Sequence, residues 1–196
     1  MITSLETPLK LRWRHALLPL ALVATTSAQA VEYTRIQPEK STIAFTYQQM
    51  GVKVDGRFQK FSAQLNFDPA KPAAAKASID IDLGSIDAGS PDADQEVVGK
   101  PWLNVKAFPT ARFVSGSVKA LGANRFEIAG KLTIKGQTQD VVVPATFTAQ
   151  GNAGAFDGTL TIRRGDFALG EGAWAKFDIV ANDVVVKFHL TAASGK

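Results

Sequence analysis

Histidine and cysteine, which most often carry nucleophilic and metal chemistry, are scarce in this chain of 196 residues. It contains no cysteine and two histidines, His15 and His189. A serine or threonine nucleophile needs a neighbouring base that is itself held by an acid. His189 alternates with Phe188 and Leu190, which places it on the wet face of a strand. We therefore expect a surface histidine, no catalytic residue, no metal site and no cofactor, because metal sites are usually built from several histidines, cysteines or carboxylates.

Two sets of carboxylates are close enough in sequence to act as an acid and a base. Asp80 and Asp82 share one face of a predicted strand, and Asp92, Asp94 and Glu96 crowd the start of a predicted helix. A solvated strand face and the positive end of a helix dipole explain these two sets more simply. Neither set is assigned to catalysis.

Arg163, Arg164 and Asp166 flank Gly165 at the end of a strand. A hairpin carrying a surface ion pair is the simpler interpretation of this group. If the fold holds a ligand, however, Arg164 and Asp166 are the side chains expected at the rim, where they would contact a polar headgroup.

The elements that must position these side chains are mostly strands. Apolar residues recur at every second position in many short runs, as in antiparallel strands with one buried face. Turn signals such as Asp55-Gly56, Lys135-Gly136 and Arg164-Gly165 fall between the runs. Ser90, Pro91 and the following acids predict a helix over 91–98. The pattern predicts one all-β domain over 31–193, an antiparallel barrel of about eight strands with one short helix.

Aromatic residues are the most informative set for function. All twelve phenylalanines lie beyond residue 31, and alternation turns Phe45, Phe61, Phe113, Phe126 and Phe188 inward. The interior of an eight-stranded barrel is either filled by side chains or holds one small ligand. The residues leave both outcomes open.

Residues 1–30 have the pattern of a cleaved signal peptide. Lys10, Arg12 and Arg14 precede a nine-residue apolar run over 16–24, and Ala28-Gln29-Ala30 supplies a cleavage site before Val31. The run is too short for a membrane-spanning helix of about 20 residues. We expect a periplasmic or secreted protein. Without this segment the charge falls from +4 to 19 basic against 17 acidic side chains, which excludes a nucleic-acid partner.

Four segments carry a resemblance to a known family. They are GVKVDGRFQKF at 51–61 with LNFDP at 65–69, WLNVKAFPTARF at 102–113, GKLTIKG at 130–136 and RGDF at 164–167. In this order the chain resembles the YceI-like family of exported lipid-binding proteins. The resemblance implies a lipocalin-like barrel whose tunnel binds a polyisoprenoid, such as a quinone-type molecule, or a similar long-chain amphiphile. The tunnel residues expected on this basis are Phe45, Tyr47, Phe58, Phe61, Trp102, Phe113, Phe126, Phe167, Trp174 and Phe188.

The function expected from these observations is sequestration or transport of such a lipid in the periplasm, without enzymatic activity. Two alternatives stay open: an enzyme that modifies an isoprenoid lipid in the same cavity, and a structural or stress-related barrel without a ligand. The residues also leave open whether the protein forms a homodimer or works with a membrane partner protein.

Overall fold

Eleven strands and one α-helix are found in residues 31–195, the part of the chain that the computed structural model describes. The strands are β1 (Tyr33–Ile36), β2 (Thr42–Gln49), β3 (Val52–Phe58), β4 (Phe61–Asn66), β5 (Lys76–Asp82), β6 (Ile86–Asp87), β7 (Thr110–Gly122), β8 (Arg125–Ile134), β9 (Gln137–Gln150), β10 (Ala153–Arg163) and β11 (Asp183–Ser194). The helix is α1 (Pro91–Val97), and short 3₁₀ turns include Pro38–Lys40, Arg164–Phe167 and Gly172–Trp174. The expected signal peptide at 1–30 lies outside the described residues.

All the strands join one antiparallel sheet in the order β4-β5-β7-β8-β9-β10-β11-β2-β3-β6. The first strand, β1, pairs with β11 and also bridges Tyr33 to Phe67, just beyond β4. At the other margin of the sheet, the backbone N–H of Gln59 donates to the carbonyl of Ser85 over 3.0 Å. The sheet therefore curls round an enclosed interior.

This architecture confirms the predicted all-β, lipocalin-like class with one short helix, but the strand count is eleven rather than about eight. The strands β1 and β6 have four and two residues, which is too short for alternation to show. The expected turn at Asp55-Gly56 was wrong, because both residues lie inside β3. The turn falls instead at Met50-Gly51, where both φ angles are positive, as a two-residue hairpin requires.

One end of the barrel is packed solid with aromatic rings. Phe67 lies at the centre of this cluster, with ring centroids 5.0 Å from Phe147, 5.0 Å from Phe156 and 5.3 Å from Phe126. Tyr33 stacks edge-on against Phe147 at 5.1 Å. These rings close the end at which β2 and β11 pair through Thr42 and His189.

The opposite end is covered by α1 and by the segment between β10 and β11. The helix begins where Ser90 Oγ accepts a hydrogen bond from the backbone N–H of Ala93 and Pro91 occupies the first turn. It confirms the helix predicted near 91–98. The covering segment is tied down by Lys135, whose Nζ donates to the carbonyl of Ala168 over 2.8 Å and lies 3.0 Å from the carboxylate of Glu171.

Candidate functional site

A cavity of about 620 Å³ lies inside the curled sheet, between the aromatic cluster and the covering segment. Its wall consists almost entirely of apolar side chains from both core clusters and from α1. The volume falls within the range of about 300–1,000 Å³ typical of small-molecule sites. The barrel interior is therefore open rather than filled.

Glycines on neighbouring strands keep the cavity open. Gly56 pairs with Phe45 and Gly158 with Phe188 across their ladders, and a methyl group added at either glycine would overlap the phenylalanine ring. A Cβ added at Gly130 would come within 2.7 Å of the Phe113 ring. Each ring lies against the bare backbone of its glycine, so the three rings pack along the wall.

Most of the polar residues that line the cavity lie near its covered end, which we call the mouth, whereas Gln64 lines it from β4. Gln49, Ser90, Asp92 and Glu96 line the cavity at the mouth, next to Trp102 and Trp174. The indole N–H of Trp174 donates to Glu96 over 2.8 Å, and the two tryptophan rings are 5.6 Å apart. An apolar wall with a polar mouth suits an amphiphile whose tail lies inward.

Arg164 stands beside this mouth and is 1% exposed. Its guanidinium lies between two aromatic rings, with Cζ 5.1 Å from the Trp102 centroid and 4.8 Å from that of Phe177. All three nitrogens donate over 2.6–3.3 Å to the backbone carbonyls of Leu169, Trp174, Lys176, Val180 and Ala181. Burial lowers the pKa of Arg164. The side chain anchors the covering segment.

Comparison with known proteins places this fold in a family. A YceI-like domain matches residues 34–192. The chain belongs to the YceI-like family. A UPF0312 protein of Pseudomonas putida is 32% identical over 163 residues, which cover 78% of this chain and 84% of that protein.

Solved structures show the same architecture. BcnA of Burkholderia cenocepacia is 42% identical and superposes with a TM-score of 0.79, covering 81% of this YceI-like chain and 99% of BcnA. A polyisoprenoid binding domain from Saccharophagus degradans superposes with a TM-score of 0.66 at 15% identity, covering 84% of this chain and 99% of that domain. At that lower identity the likeness concerns the fold alone.

Seven of the ten aromatic residues expected in the tunnel line the cavity of this YceI-like domain. They are Phe45, Tyr47, Phe58, Trp102, Phe113, Trp174 and Phe188. Whether they contact a ligand stays a prediction. The five of these residues that lie on strands occupy inward-facing positions, and the two tryptophans lie in the mouth.

The other three expected aromatic residues lie elsewhere. Phe126 packs into the aromatic cluster at the closed end, and Phe61 packs against the same cluster and also lines a groove beside the connection between β3 and β4. Phe167, at the start of the covering segment, is 2% exposed and buried in the core. All three are at least half-buried, but the sequence does not show that the barrel is filled at one end and hollow at the other.

The expected rim pair is also separated in the YceI-like domain. Arg164 lines the cavity, whereas the carboxylate of Asp166 lies 2.9 Å from Arg163 in an exposed ion pair. The reason is that residues 164–167 form a 3₁₀ turn instead of a hairpin, which turns neighbouring side chains in different directions. Asp166 is thus not brought to the mouth.

Sequence reasoning missed much of the cavity wall. Aliphatic side chains such as Ile79, Leu160 and Val186 line it, as does Phe156. Alternation was available as a signal for these residues. The mouth residues on α1 had no such signal, because only the folded chain brings Glu96 to Trp174, which lies 78 positions further on.

Tyr47 is the phenol of the cavity wall, and its proton is held in place. The hydroxyl donates to the carbonyl of Ala88 over 3.0 Å, while Asp94 accepts from the backbone N–H of Ala88. Burial, and secondly the negative charge of Asp94, raises the pKa of Tyr47. The phenol therefore stays neutral and acts as a hydrogen-bond donor.

The remaining titratable groups singled out in the sequence lie outside the cavity. His189 is on the outer face, with Nδ1 2.7 Å from a carboxylate oxygen of Asp157. Asp80 lies 3.6 Å from Arg112, and Asp82 accepts from the N–H of Gly84. Within residues 31–195 no three histidine or acidic side chains are grouped to hold a metal ion.

Among residues 31–195, no helix is long and apolar enough to cross a membrane.

Proposed function

We propose that this YceI-like protein is a periplasmic carrier that binds a polyisoprenoid or similar long-chain amphiphile in its cavity. The observation that carries the proposal is the apolar cavity of about 620 Å³ with most of its polar groups near the mouth. Each methylene buried there contributes about 0.8 kcal/mol, partly offset by ordering the chain. The related fold of the Saccharophagus degradans polyisoprenoid binding domain supports the same ligand class.

The mouth favours an uncharged headgroup of the quinone type. The side chains of Asp92 and Glu96 bring negative charge to the mouth, which would repel a phosphate or a carboxylate. Arg164, the nearest cation, directs its nitrogens to backbone carbonyls. Ser90 and Gln49 offer hydroxyl and amide donors that suit a carbonyl oxygen.

A carrier fits the lining better than an enzyme does. Catalysis requires titratable groups that converge on a reacting atom. Tyr47 and Arg164 are committed to backbone carbonyls, and Glu96 accepts from Trp174. The open volume also disfavours a structural barrel without a ligand.

Export completes the proposal. The apolar run at 16–24 and the small residues Ala28 and Ala30 support cleavage before Val31 and release into the periplasm.

A homodimer or a membrane partner protein would find exposed apolar side chains beside the mouth, at Met50, Val52, Phe177 and Ile179. Sedimentation of the purified protein tests the dimer.

The carrier proposal is tested by titrating prenyl alcohols of increasing chain length against the wild type and Phe113→Gln. Wild-type affinity should rise with length until the cavity is full. The polar substitution should weaken the binding of long prenyl chains more than that of short ones, because Phe113 lies on the wall along the tail. Val114→Gln is the matched control, since Val114 is the next residue and 43% exposed.

Circular dichroism checks that both variants fold. Native mass spectrometry of periplasmic protein, followed by organic extraction, identifies any lipid that copurifies. A wild-type affinity that is absent or flat across the series would refute the carrier proposal.

A further inference from the structure

A second concavity of about 490 Å³ lies where β2 begins and β3 ends. It is an outer groove between the 3₁₀ turn Pro38–Lys40 and the short connection from β3 to β4, with Phe61 on one wall and Pro38 on another. Gln49 stands at the mouth and Ile43 at this groove, six residues apart on β2. At about 3.4 Å per residue, the mouth and the groove are roughly 20 Å apart along β2.

Two side chains, Ile43 and Phe58, line both the cavity and the outer groove. They are direct partners across the β2–β3 ladder, so they point to the same side of the sheet. Ile43 is 3% exposed and fixed in the core, whereas Phe58 is only partly buried and is the last residue of β3. The ring of Phe58 packs against Phe45 at 5.4 Å on its cavity side.

The groove can accept the end of an apolar chain. Phe58, Phe61 and Pro38 provide apolar walls, and the polar residues Ser41, Thr42 and Gln59 complete the lining. The two cations of the groove, Arg57 and Lys60, have long aliphatic stems that can cover a chain while their charged ends stay in water. Arg57 is already turned toward Asp87, with its guanidinium 3.2 Å from that carboxylate.

We infer that Phe58 is the partition that sets the longest chain the cavity accepts, and that the groove behind it is a second compartment for the distal end of a longer chain. This inference rests on the proposed carrier function. It assigns chain-length selectivity to one side chain. Removing the ring should join the two compartments.

The test compares prenyl alcohols of increasing length on the wild type, Phe58→Ala and Phe113→Ala. Both variants remove one ring from the cavity wall, but only Phe58 also borders the groove. Wild-type affinity should rise with chain length and then reach a plateau. The affinity of Phe58→Ala should continue to rise, by about tenfold for the first isoprene unit beyond the wild-type plateau. Phe113→Ala should bind long chains more weakly than the wild type, because Phe113 lies on the wall along the tail, but its affinity should stop rising at the same chain length as in the wild type.

A chain carrying a photoreactive diazirine at its distal end gives the second measurement. In Phe58→Ala it should cross-link to the peptide containing Lys60 and Phe61, and in Phe113→Ala it should not. Phe58→Leu, which keeps more of the packing, provides the same comparison if Phe58→Ala does not fold. Its plateau should also move to longer chains.

The outcomes separate the two proposals. If the wild type binds with rising affinity but the Phe58 variants share the plateau of Phe113→Ala and give no cross-link in the groove, the partition is wrong and the carrier function stands. If no chain binds to the wild type, the carrier function fails and the partition fails with it.

Discussion

Arg164 shows at the scale of a single residue how a buried cation can be held without a carboxylate. None of the six ion pairs among residues 31–195 includes it. Backbone carbonyl dipoles and two aromatic faces replace the lost hydration instead. The geometry depends on a planar, branched donor, which lysine does not offer.

We expect Arg164→Lys to destabilise the protein by roughly 2–4 kcal/mol, because several buried carbonyls lose their donor at once. Urea unfolding followed by circular dichroism measures this change. Arg163→Lys is the neighbouring control in an exposed ion pair with Asp166, and it should change stability by less than about 0.5 kcal/mol. Equal effects of the two substitutions would contradict the anchoring role.

Tyr47 gives a second prediction at this scale, through pH. Its pKa is raised above 10.0 by burial and by Asp94. Below pH 10.0 both the folded and unfolded states keep the proton of Tyr47, so the protonated phenol stabilises the folded state to its full extent. As pH rises through the folded-state pKa, the unfolded chain has already lost its proton and this stabilisation disappears.

The free energy of unfolding of the wild type should therefore fall more steeply at alkaline pH than that of Tyr47→Phe. Urea titrations from about pH 8 to about pH 11 provide the two curves. At the lower end the curves should differ by a constant amount, the contribution of the hydrogen bond to Ala88. Curves that stay parallel across the whole range would show that Tyr47 does not titrate as the geometry requires.

At the scale of strands, the glycine and phenylalanine partners decide whether the barrel is hollow. The period of two in residues 184–190 was enough to predict that Phe188 points inward and His189 outward, because side-chain direction is a local property of a strand. The sequence did not show that Gly56 lies inside a strand. Its signal, an Asp-Gly pair, is the same as that of a turn.

Gly158→Ala tests this arrangement. The added methyl group meets the Phe188 ring and the backbone carbonyl of Pro144, so the ring must move into the cavity. We expect a loss of about 1–3 kcal/mol in stability, as for other overpacked cores, together with weaker binding of long chains. Differential unfolding and the prenyl titration measure the two effects.

Gly116→Ala is the control for this substitution, because the nearest atom to its added Cβ is the carbonyl oxygen of Ala129 at an ordinary 3.6 Å. It should leave both stability and binding nearly unchanged. If Gly158→Ala were equally mild, the absence of a side chain at residue 158 would not be what holds the Phe188 ring against the cavity wall.

At the scale of the whole molecule, the barrel has two unlike ends. Residues near Phe67 fill one end, and α1 with the covering segment roofs the other. This difference depends on contacts between distant strands, so the sequence predicted the inward face of Phe126 but not that Phe126 lies in the filled part. The fold class, the helix and most inward positions were predictable. The position of the mouth was not, because it depends on pairs such as Trp174 with Glu96.

Export is the prediction that belongs to this scale. Protein isolated from the periplasm should begin at Val31, as N-terminal sequencing would show. β1 begins at Tyr33, so cleavage after Ala30 leaves every described strand intact. Ala30→Phe should slow processing, because the cleavage site requires a small residue. Recovery of the wild type with Met1 in the membrane fraction would refute the signal peptide.

The way Arg164 holds its carbonyls also has a consequence for how this family can diversify. The acceptors between Leu169 and Ala181 belong to the backbone, which every amino acid carries. Apart from Gly170, where an added Cβ would meet the Arg164 guanidinium, and Phe177, whose ring lies against it, side chains along that stretch can therefore change through mutation while the anchor keeps its backbone partners. Selection can alter the roof of the cavity, and with it the molecules admitted, without first rebuilding what holds the roof down.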